Sequence, residues 1–246
     1  LQDLAGVVMD EMELRIAALQ AIQKKDEFMA LASHELRTPL STAKAYVELA
    51  AMLLPADESE VATYVQKANN SLDRLSSLIT DLTDVSKVQH GRLMLRKEII
   101  DLDGLVEFVI DDLQPSQPTH KIILTGSSGA EVSGDHDRLQ QVLINLLTNA
   151  VKYSPGKETV EVTLANGSDG PTVSVKDHGI GIAQEHLTKI FERFHREKMV
   201  QNSFPGMGVG LYIASEIVKR HGGDLSVSSR LGKGSTFTLS LPAASN

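Results

Sequence analysis

The stretch FMALASHELRTPL, Phe28 to Leu40, centres on a histidine followed by a glutamate, His34 and Glu35. A carboxylate beside an imidazole can hold one ring proton and leave the other nitrogen with a lone pair at neutral pH. Thr38 and Ser41 share the histidine's side of a helix, and Arg37 sits nearby. Far downstream, Asn145 and Asn149 lie four apart and so on one helix face, with Lys152 on the same side. Two amide oxygens and a cation suit a magnesium ion and the phosphates that it bridges. Asp177 ends an apolar strand and opens the run Asp177, His178, Gly179, Ile180, Gly181. A carboxylate there can accept a hydrogen bond from an exocyclic amine, while the glycines let backbone approach a flat ring. Gly206, Gly208 and Gly210 precede a helix, whose free N–H groups and positive end make a phosphate cradle.

Each group also has a plainer reading: a solvated histidine, two surface asparagines, a tight turn. Pro39, in mid-pattern, weighs against the plain reading of His34, because a proline inside a helix costs about 3 kcal/mol. The elements that must position these groups are legible from spacing. Phe28, Ala32, Leu36, Leu40, Ala43, Val47, Ala50 and Leu54 recur every three or four residues and define one helix face, from which His34 points away. Residues 1–27 lack proline and are rich in helix formers, which predicts a continuous signal-transmitting helix or linker leading into it. That helix should stop near Leu54, before the turn at Pro55 to Glu58. Val61, Val65, Ala68, Leu72, Leu75, Ile79 and Leu82 then alternate steps of four and three, as in a coiled-coil seam. Two such helices form an antiparallel hairpin, and a second copy would bury what one hairpin leaves open, giving a homodimeric four-helix bundle. The alternative is that both stripes pack on the rest of the same chain.

Around His90 and Gly91 the period changes, marking a domain boundary. Strand alternation is expected at Leu93, Leu95 and Ile99, at Lys121 to Thr125 and at Glu131 to Ser133. Helices are expected after Asp101, from Asp137 to Tyr153, near Gln184 to Phe191 and from Gly208 to His221. Two hairpins, one around NGSDGP and one ending the chain, complete an α/β sandwich with one helical layer on a mixed sheet. The fold class is therefore α+β and multidomain: 1–27 linker, 28–90 helical hairpin, 91–246 sandwich. With 246 residues and 41% hydrophobic content the chain can build such cores. Its net charge of −8 gives no footprint for nucleic acid. The absence of cysteine excludes disulfides, thiolate catalysis and Cys-ligated zinc and fits the expected cytoplasmic setting. No apolar run approaches the roughly 20 residues of a membrane span. The start at Leu1 predicts a fragment whose upstream sensor domain is missing.

In order, the motifs read ASHELRTPL, NLLTNAVKYS, DHGIGI, FERFHR and GMGVGL, with GKGSTF near the end. Together they resemble the H-box, asparagine box, first glycine box, F-box and second glycine box of the sensor histidine kinases of two-component signalling, over residues 28 to 242. The resemblance implies a dimerisation and histidine-phosphotransfer domain followed by a Bergerat-type ATP-binding domain. His34 would be the phospho-acceptor, Glu35 the residue that raises its nucleophilicity, and Thr38 the one that positions water for dephosphorylation of the partner. Asn149, helped by Asn145, would hold magnesium; Lys152 and Tyr153 would line the nucleotide. Asp177, with Gly179 and Gly181 beside it, would bind adenine. Gly206, Gly208, Gly210 and Leu211 would belong to the second glycine box, and Arg196 would meet the γ-phosphate. Residues from about His195 to Pro205 would form a lid over ATP. The implied partner is the receiver domain of a response regulator. Met207 and Val209 depart from the family's usual threonine or serine and leucine.

Three rival readings remain at this stage. One is a dimeric scaffold that binds nucleotide without turnover. Another is a chaperone- or topoisomerase-like ATPase, which would need a glutamate where Asn145 stands. The third is a protein that mainly dephosphorylates its partner.

Overall fold

Small and apolar residues three and four apart put residues 35–50 into a helix, α1, and Glu58–Gln89 into a second, α2. The computed structural model describes residues 12, 15, 32, 35–50, 52, 58–89, 92–167, 170–195, 204 and 207–244. It divides into two units, Leu1–Thr80 and Asp81–Asn246.

In the first unit Glu35 accepts from Arg74 Nη2 at 3.4 Å, and the rings of Tyr46 and Tyr64 stack 5.9 Å apart. Partner numbers fall along α2 as they rise along α1, so the two helices run antiparallel, as a hairpin requires. Lys67 Nζ lies 5.5 Å from both ring centroids, a cation–π contact that braces the stack. The inward row is Glu35, Pro39, Ala43, Tyr46 and Ala50 on α1, met by Ala68 and Leu78 on α2.

This corrects the expected stripe. Leu40 and Val47 are 56% and 55% exposed, and Val65, Leu72 and Ile79 are 44–52% exposed at strict seven-residue spacing. The ion pair and the tyrosine stack occupy the hairpin's inner face, which turns the larger apolar residues onto its flank. Phe28, Leu54 and the turn at Pro55, like the helix expected over residues 1–27 apart from Met12 and Arg15, lie outside the described residues.

The second unit is a five-stranded sheet covered by three helices. The strands of the whole unit are β1 (Glu98–Asp101), β2 (Lys121–Gly126), β3 (Glu131–Gly134), β4 (Thr159–Gly167), β5 (Gly170–Lys176), β6 (Asp224–Arg230) and β7 (Gly234–Ser240). Five of them pair in the order β2-β4-β5-β7-β6, parallel only between β2 and β4; β1 and β3 form a separate antiparallel pair. The helices are α3 (Leu102–Leu113), α4 (His136–Lys152) and α5 (Gly210–Arg220).

Val160, Val162 and Leu164 of β4, Val173 and Val175 of β5, and Phe237 and Leu239 of β7 alternate inward toward α4 and α5. Helix α4 answers with Leu139, Val142, Leu143, Leu146, Leu147 and Ala150, all buried. Truncating one of its leucines to alanine removes about 2–5 kcal/mol by the usual cavity cost. Its N-cap is Asp135, which accepts from Arg138 N, and Asp101 caps α3 by accepting from Asp103 N. On Asp84, a residue 1% exposed, Arg138 Nη1 donates at 2.7 Å and Gln141 Nε2 at 2.9 Å.

Two expected elements differ. Gln184–His186 is a single 3₁₀ turn followed by further turns, where a helix to Phe191 was expected. Eight residues without a side-chain cap do not offset the cost of helix nucleation. The strand expected from Leu93 begins only at Glu98, because its partner β3 is four residues long. Leu93 is buried nevertheless, and its carbonyl accepts from Arg220 Nη1 at 2.8 Å.

Asp103 ties α3 to the loop after β2. Its carboxylate accepts from both Ser127 and Ser128 hydroxyls and from the amides of Ser128 and Gly129. Desolvation acts to raise its pKa, but these four donors outweigh it and bring the group down to about 2. A depressed carboxylate stabilises the fold fully above its unfolded pKa, and the contribution is lost as the pH falls through the folded one. Asp103→Asn is therefore expected to cost about 1–2 kcal/mol at pH 7, after allowance for solvent screening. The gap between variant and parent in urea unfolding should narrow as the pH drops from about 4 toward 2.

Candidate functional site

Helix α4 carries the asparagine pair on a half-buried flank of its apolar face, and Asn149 Nδ2 donates to Asn145 Oδ1 at 2.7 Å. The first residue of α5 abuts the same pair: a Cβ on Gly210 would stand 2.2 Å from Asn145 Nδ2. No side chain caps the N-terminus of α5, so its first amides and the positive helix end are left for an anion. At the other end of α4, Lys152 Nζ lies 5.0 Å from the Tyr153 ring centroid, and Phe204 meets the same ring edge-on at 5.1 Å.

Asp177 follows β5 and is 4% exposed. Its amide donates to Ser235 O at 2.9 Å, and its Oδ1 accepts from Gly179 N at 2.8 Å. Burial pushes its carboxyl up, against the hydrogen bonds from Gly179 and Ser235. Such an acceptor is selective for a ligand N–H donor, because leaving it unpaired in a dry pocket is costly. Gly179 has no room for a side chain: a Cβ would fall 2.0 Å from Tyr153 O. Tyr153 N donates to Asn149 O, and Ile180 N donates to Tyr153 O at 3.0 Å. The asparagine helix and the aspartate loop are thus joined through one residue. His178 is held by Glu161 Oε1 at 2.7 Å.

These elements surround a cavity of about 250 Å³. Among the residues expected at the site, Asn145, Asn149, Lys152, Tyr153, Asp177, Gly181, Gly208, Gly210 and Leu211 line it, and Gly179 braces its wall. Phe194 of the FERFHR motif adopts φ +64° and donates its N–H to Gly208 O at 3.0 Å, fixing that motif to the glycine turn. His34, Arg196 and Gly206 lie outside the described residues, as does most of the expected lid. Glu35 is buried against Arg74, and Thr38 is exposed.

Sequence reasoning missed the apolar walls, Ile182, Ile190 and Phe237, and the polar Ser235; His195, where the expected lid begins, also lines the cavity. Alternation in GSTFTL could have found Phe237. Met207 and Val209 are 2% and 1% exposed on the cavity wall. Asp81 also lines it, and burial, then the charge of Asp84, raises its pKa to about 6. No signal in the sequence marks Asp81, which sits in the helical pattern like any solvated acid. Among the described residues no three His, Cys, Asp or Glu side chains could together hold a metal ion, and no helix is long and apolar enough to cross a membrane.

A buried acceptor for an amine, an amide-oxygen pair and an uncapped helix start around one cavity define a nucleotide-binding ATPase fold. Residues 134–245 match the family of histidine kinase-, DNA gyrase B- and HSP90-like ATPases, and residues 24–91 match the His kinase A (phospho-acceptor) domain. The sensor histidine kinase WalK of Bacillus subtilis is 34% identical over 89% of this chain and 37% of its own length. RppB of Synechocystis is 34% identical over 91% of this chain and 50% of its own length. Among solved structures, Acinetobacter baumannii histidine kinase AdeS aligns with TM-score 0.62 at 25% identity, over 86% of this chain and 98% of its own. Full-length ShkA in complex with AMPPNP aligns with TM-score 0.65 at 30% identity, over 90% of this chain and 46% of its own. The chain belongs to the sensor histidine kinases of two-component systems. It spans about a third to a half of the length of these curated relatives.

Proposed function

We propose that this chain is the ATP-dependent kinase core of a two-component sensor: it phosphorylates its own His34 and passes the phosphoryl group to an aspartate in the receiver domain of a response regulator. The observation that carries this reading is the one cavity of about 250 Å³ that Asn145, Asn149, Lys152 and Asp177 line together. Residues 28–90 form the dimerisation and phosphotransfer domain, 91–246 the ATP-binding domain, and 1–27 the linker from an upstream sensor, the whole working in the cytoplasm.

Asp177 accepts from the adenine amine, and Gly179 and Gly181 keep the ring's plane clear. The uncapped start of α5, with Gly206, Gly208, Gly210 and Leu211, cradles the phosphates. Amide oxygens suit magnesium, which favours hard oxygen and keeps several waters, so Asn149 with Asn145 would hold it. When bound, the ion neutralises charge on the phosphates. Lys152 and Tyr153 line the nucleotide, and Arg196 meets the γ-phosphate.

Phosphoryl transfer asks mainly for position and charge balance, so the protein's task is to bring the γ-phosphorus in line with one ring nitrogen of His34. Glu35 holds the proton on the other nitrogen, and the Arg74 contact keeps that carboxylate in place. The same face, with Thr38 exposed to position water, supports dephosphorylation of the regulator as a second activity. Position 145 bears an amide where direct ATP hydrolysis by a gyrase- or HSP90-like route needs a carboxylate base. The exposed row of Val65, Leu72 and Ile79, with Leu40 and Val47, supports a second copy of the chain as the hairpin's partner.

The test is incubation with γ-labelled ATP and magnesium, followed by acid and alkali treatment of the labelled protein. The expected label is lost in acid and kept in alkali, as for a phosphoramidate, and moves to a receiver domain. Acid-stable label on serine or threonine, or bound ATP with no transfer, would sink the reading.

A further inference from the structure

Histidine 221 ends α5, is 3% exposed, and plays no part in the site described above. Its Nδ1 donates to Ile217 O at 2.8 Å, which leaves Nε2 as an acceptor, and Asp135 N donates to that atom at 2.9 Å. One neutral tautomer therefore links the last turn of α5 to the N-cap of α4.

The N-cap itself is fully engaged, with Oδ1 accepting from Arg138 N and Oδ2 from Arg96 N. The space is cut to fit the ring. A Cβ on Gly134 would stand 3.0 Å from His221 Cδ2 and 3.2 Å from Nε2.

Helices α4 and α5 pack antiparallel. His221 meets Asp135 at one end, and Gly210 meets Asn145 at the other, 11 residues of α5 away and so about 16 Å. A rigid helix transmits a shift at one end to the other with little loss. We propose that His221 is a positioning residue of the ATP site, a pin that fixes α5 against α4 and through that register sets the distance between the phosphate cradle and Asn145. The proposal rests on the reading of this cavity as an ATP site.

Protonation would break the pin, because a second ring N–H would then face the Asp135 N–H. Burial opposes protonation first, and the charge of Lys97 adds to it, while Ile217 O and the Asp135 carboxylate favour it. Arg96 and Arg138 reach Asp135 through their backbone N–H groups, the Arg138 guanidinium being turned to Asp84; on the ring's own helix Lys219 is paired with Glu216, and Arg220 is turned to Leu93 O. With the folded pKa lowered, the neutral pin stays complete through the ordinary imidazole range and breaks only as the pH falls through the lowered folded value.

The test uses the full 246-residue chain, its His221→Phe and His221→Gln variants, and the fluorescent probe trinitrophenyl-ATP with magnesium. His221→Phe keeps the ring's volume and loses both hydrogen bonds; it is expected to bind the probe about tenfold more weakly at pH 7.5 with its helix content retained. His221→Gln can still accept from Asp135 N and donate to Ile217 O, and should bind like the parent at pH 7.5.

As the pH falls from 7.5 to about 4.5 the parent should lose affinity more steeply than His221→Gln, the steeper fall coming below the ordinary imidazole range. Asp81 and Asp177 titrate in both proteins, so the difference between the two profiles isolates His221. Equal affinity of His221→Phe and parent, weak binding by His221→Gln at pH 7.5, or parallel pH profiles would each overturn the proposal. If His221→Phe does not fold, the comparison of parent with His221→Gln still decides. A parent that binds no probe overturns the ATP-site reading itself, which separates the two failures.

Discussion

His34→Gln is expected to bind ATP as tightly as the parent and to take up no acid-labile phosphoryl label, a fall of roughly a thousandfold or more. Glutamine has the reach of histidine but no ring nitrogen with a basic lone pair, so the nucleophile is removed while the helix is kept. The nucleotide groups are elsewhere in the chain, on α4, α5 and the Asp177 loop. Binding measured by probe displacement and label measured after alkaline electrophoresis separate the two effects. Residual label at the parent's level would place the acceptor on another residue.

Gly179→Ala should produce the reverse pattern, with the helical hairpin intact and nucleotide binding weaker by about 100-fold. The added methyl would lie 2.0 Å from Tyr153 O and 2.6 Å from its carbonyl carbon, both backbone atoms that no side-chain rotation can move aside. Relief requires the Asp177 loop to withdraw from Tyr153, which breaks the Ile180 N–H bond to Tyr153 O and carries Asp177 away from the adenine position. Phosphorylation should fall in parallel through a raised KM for ATP. An alanine variant with unchanged affinity would show that the loop has slack which the contact with Tyr153 does not suggest.

Much of this architecture was readable because burial follows period. Six apolar residues of α4 at three- and four-residue steps point inward together, and the asparagines on their flank line the cavity, as spacing alone suggests. Alternation likewise fixed β4, β5 and β7. The misread pieces share a cause: their outcome depends on partners that a linear pattern does not contain. Leu93 alternates correctly yet has no strand to pair with, and Gln184–Phe191 has helical spacing but too few residues to hold it. The stripes of the hairpin were located, but spacing gives the angular width of an apolar face without saying how it is shared between neighbours. His221 and Asp81 acquire their roles only from residues far away in sequence, Asp135 for one and the nucleotide cavity for the other.

The seven-residue row of Val65, Leu72 and Ile79 also bears on stability. A lone chain holds these side chains in water, and each forgoes up to about 2 kcal/mol of burial until another copy arrives. With the second copy proposed above as its partner, association would become part of folding, and the hairpin would grow sturdier in a concentrated preparation and looser on dilution.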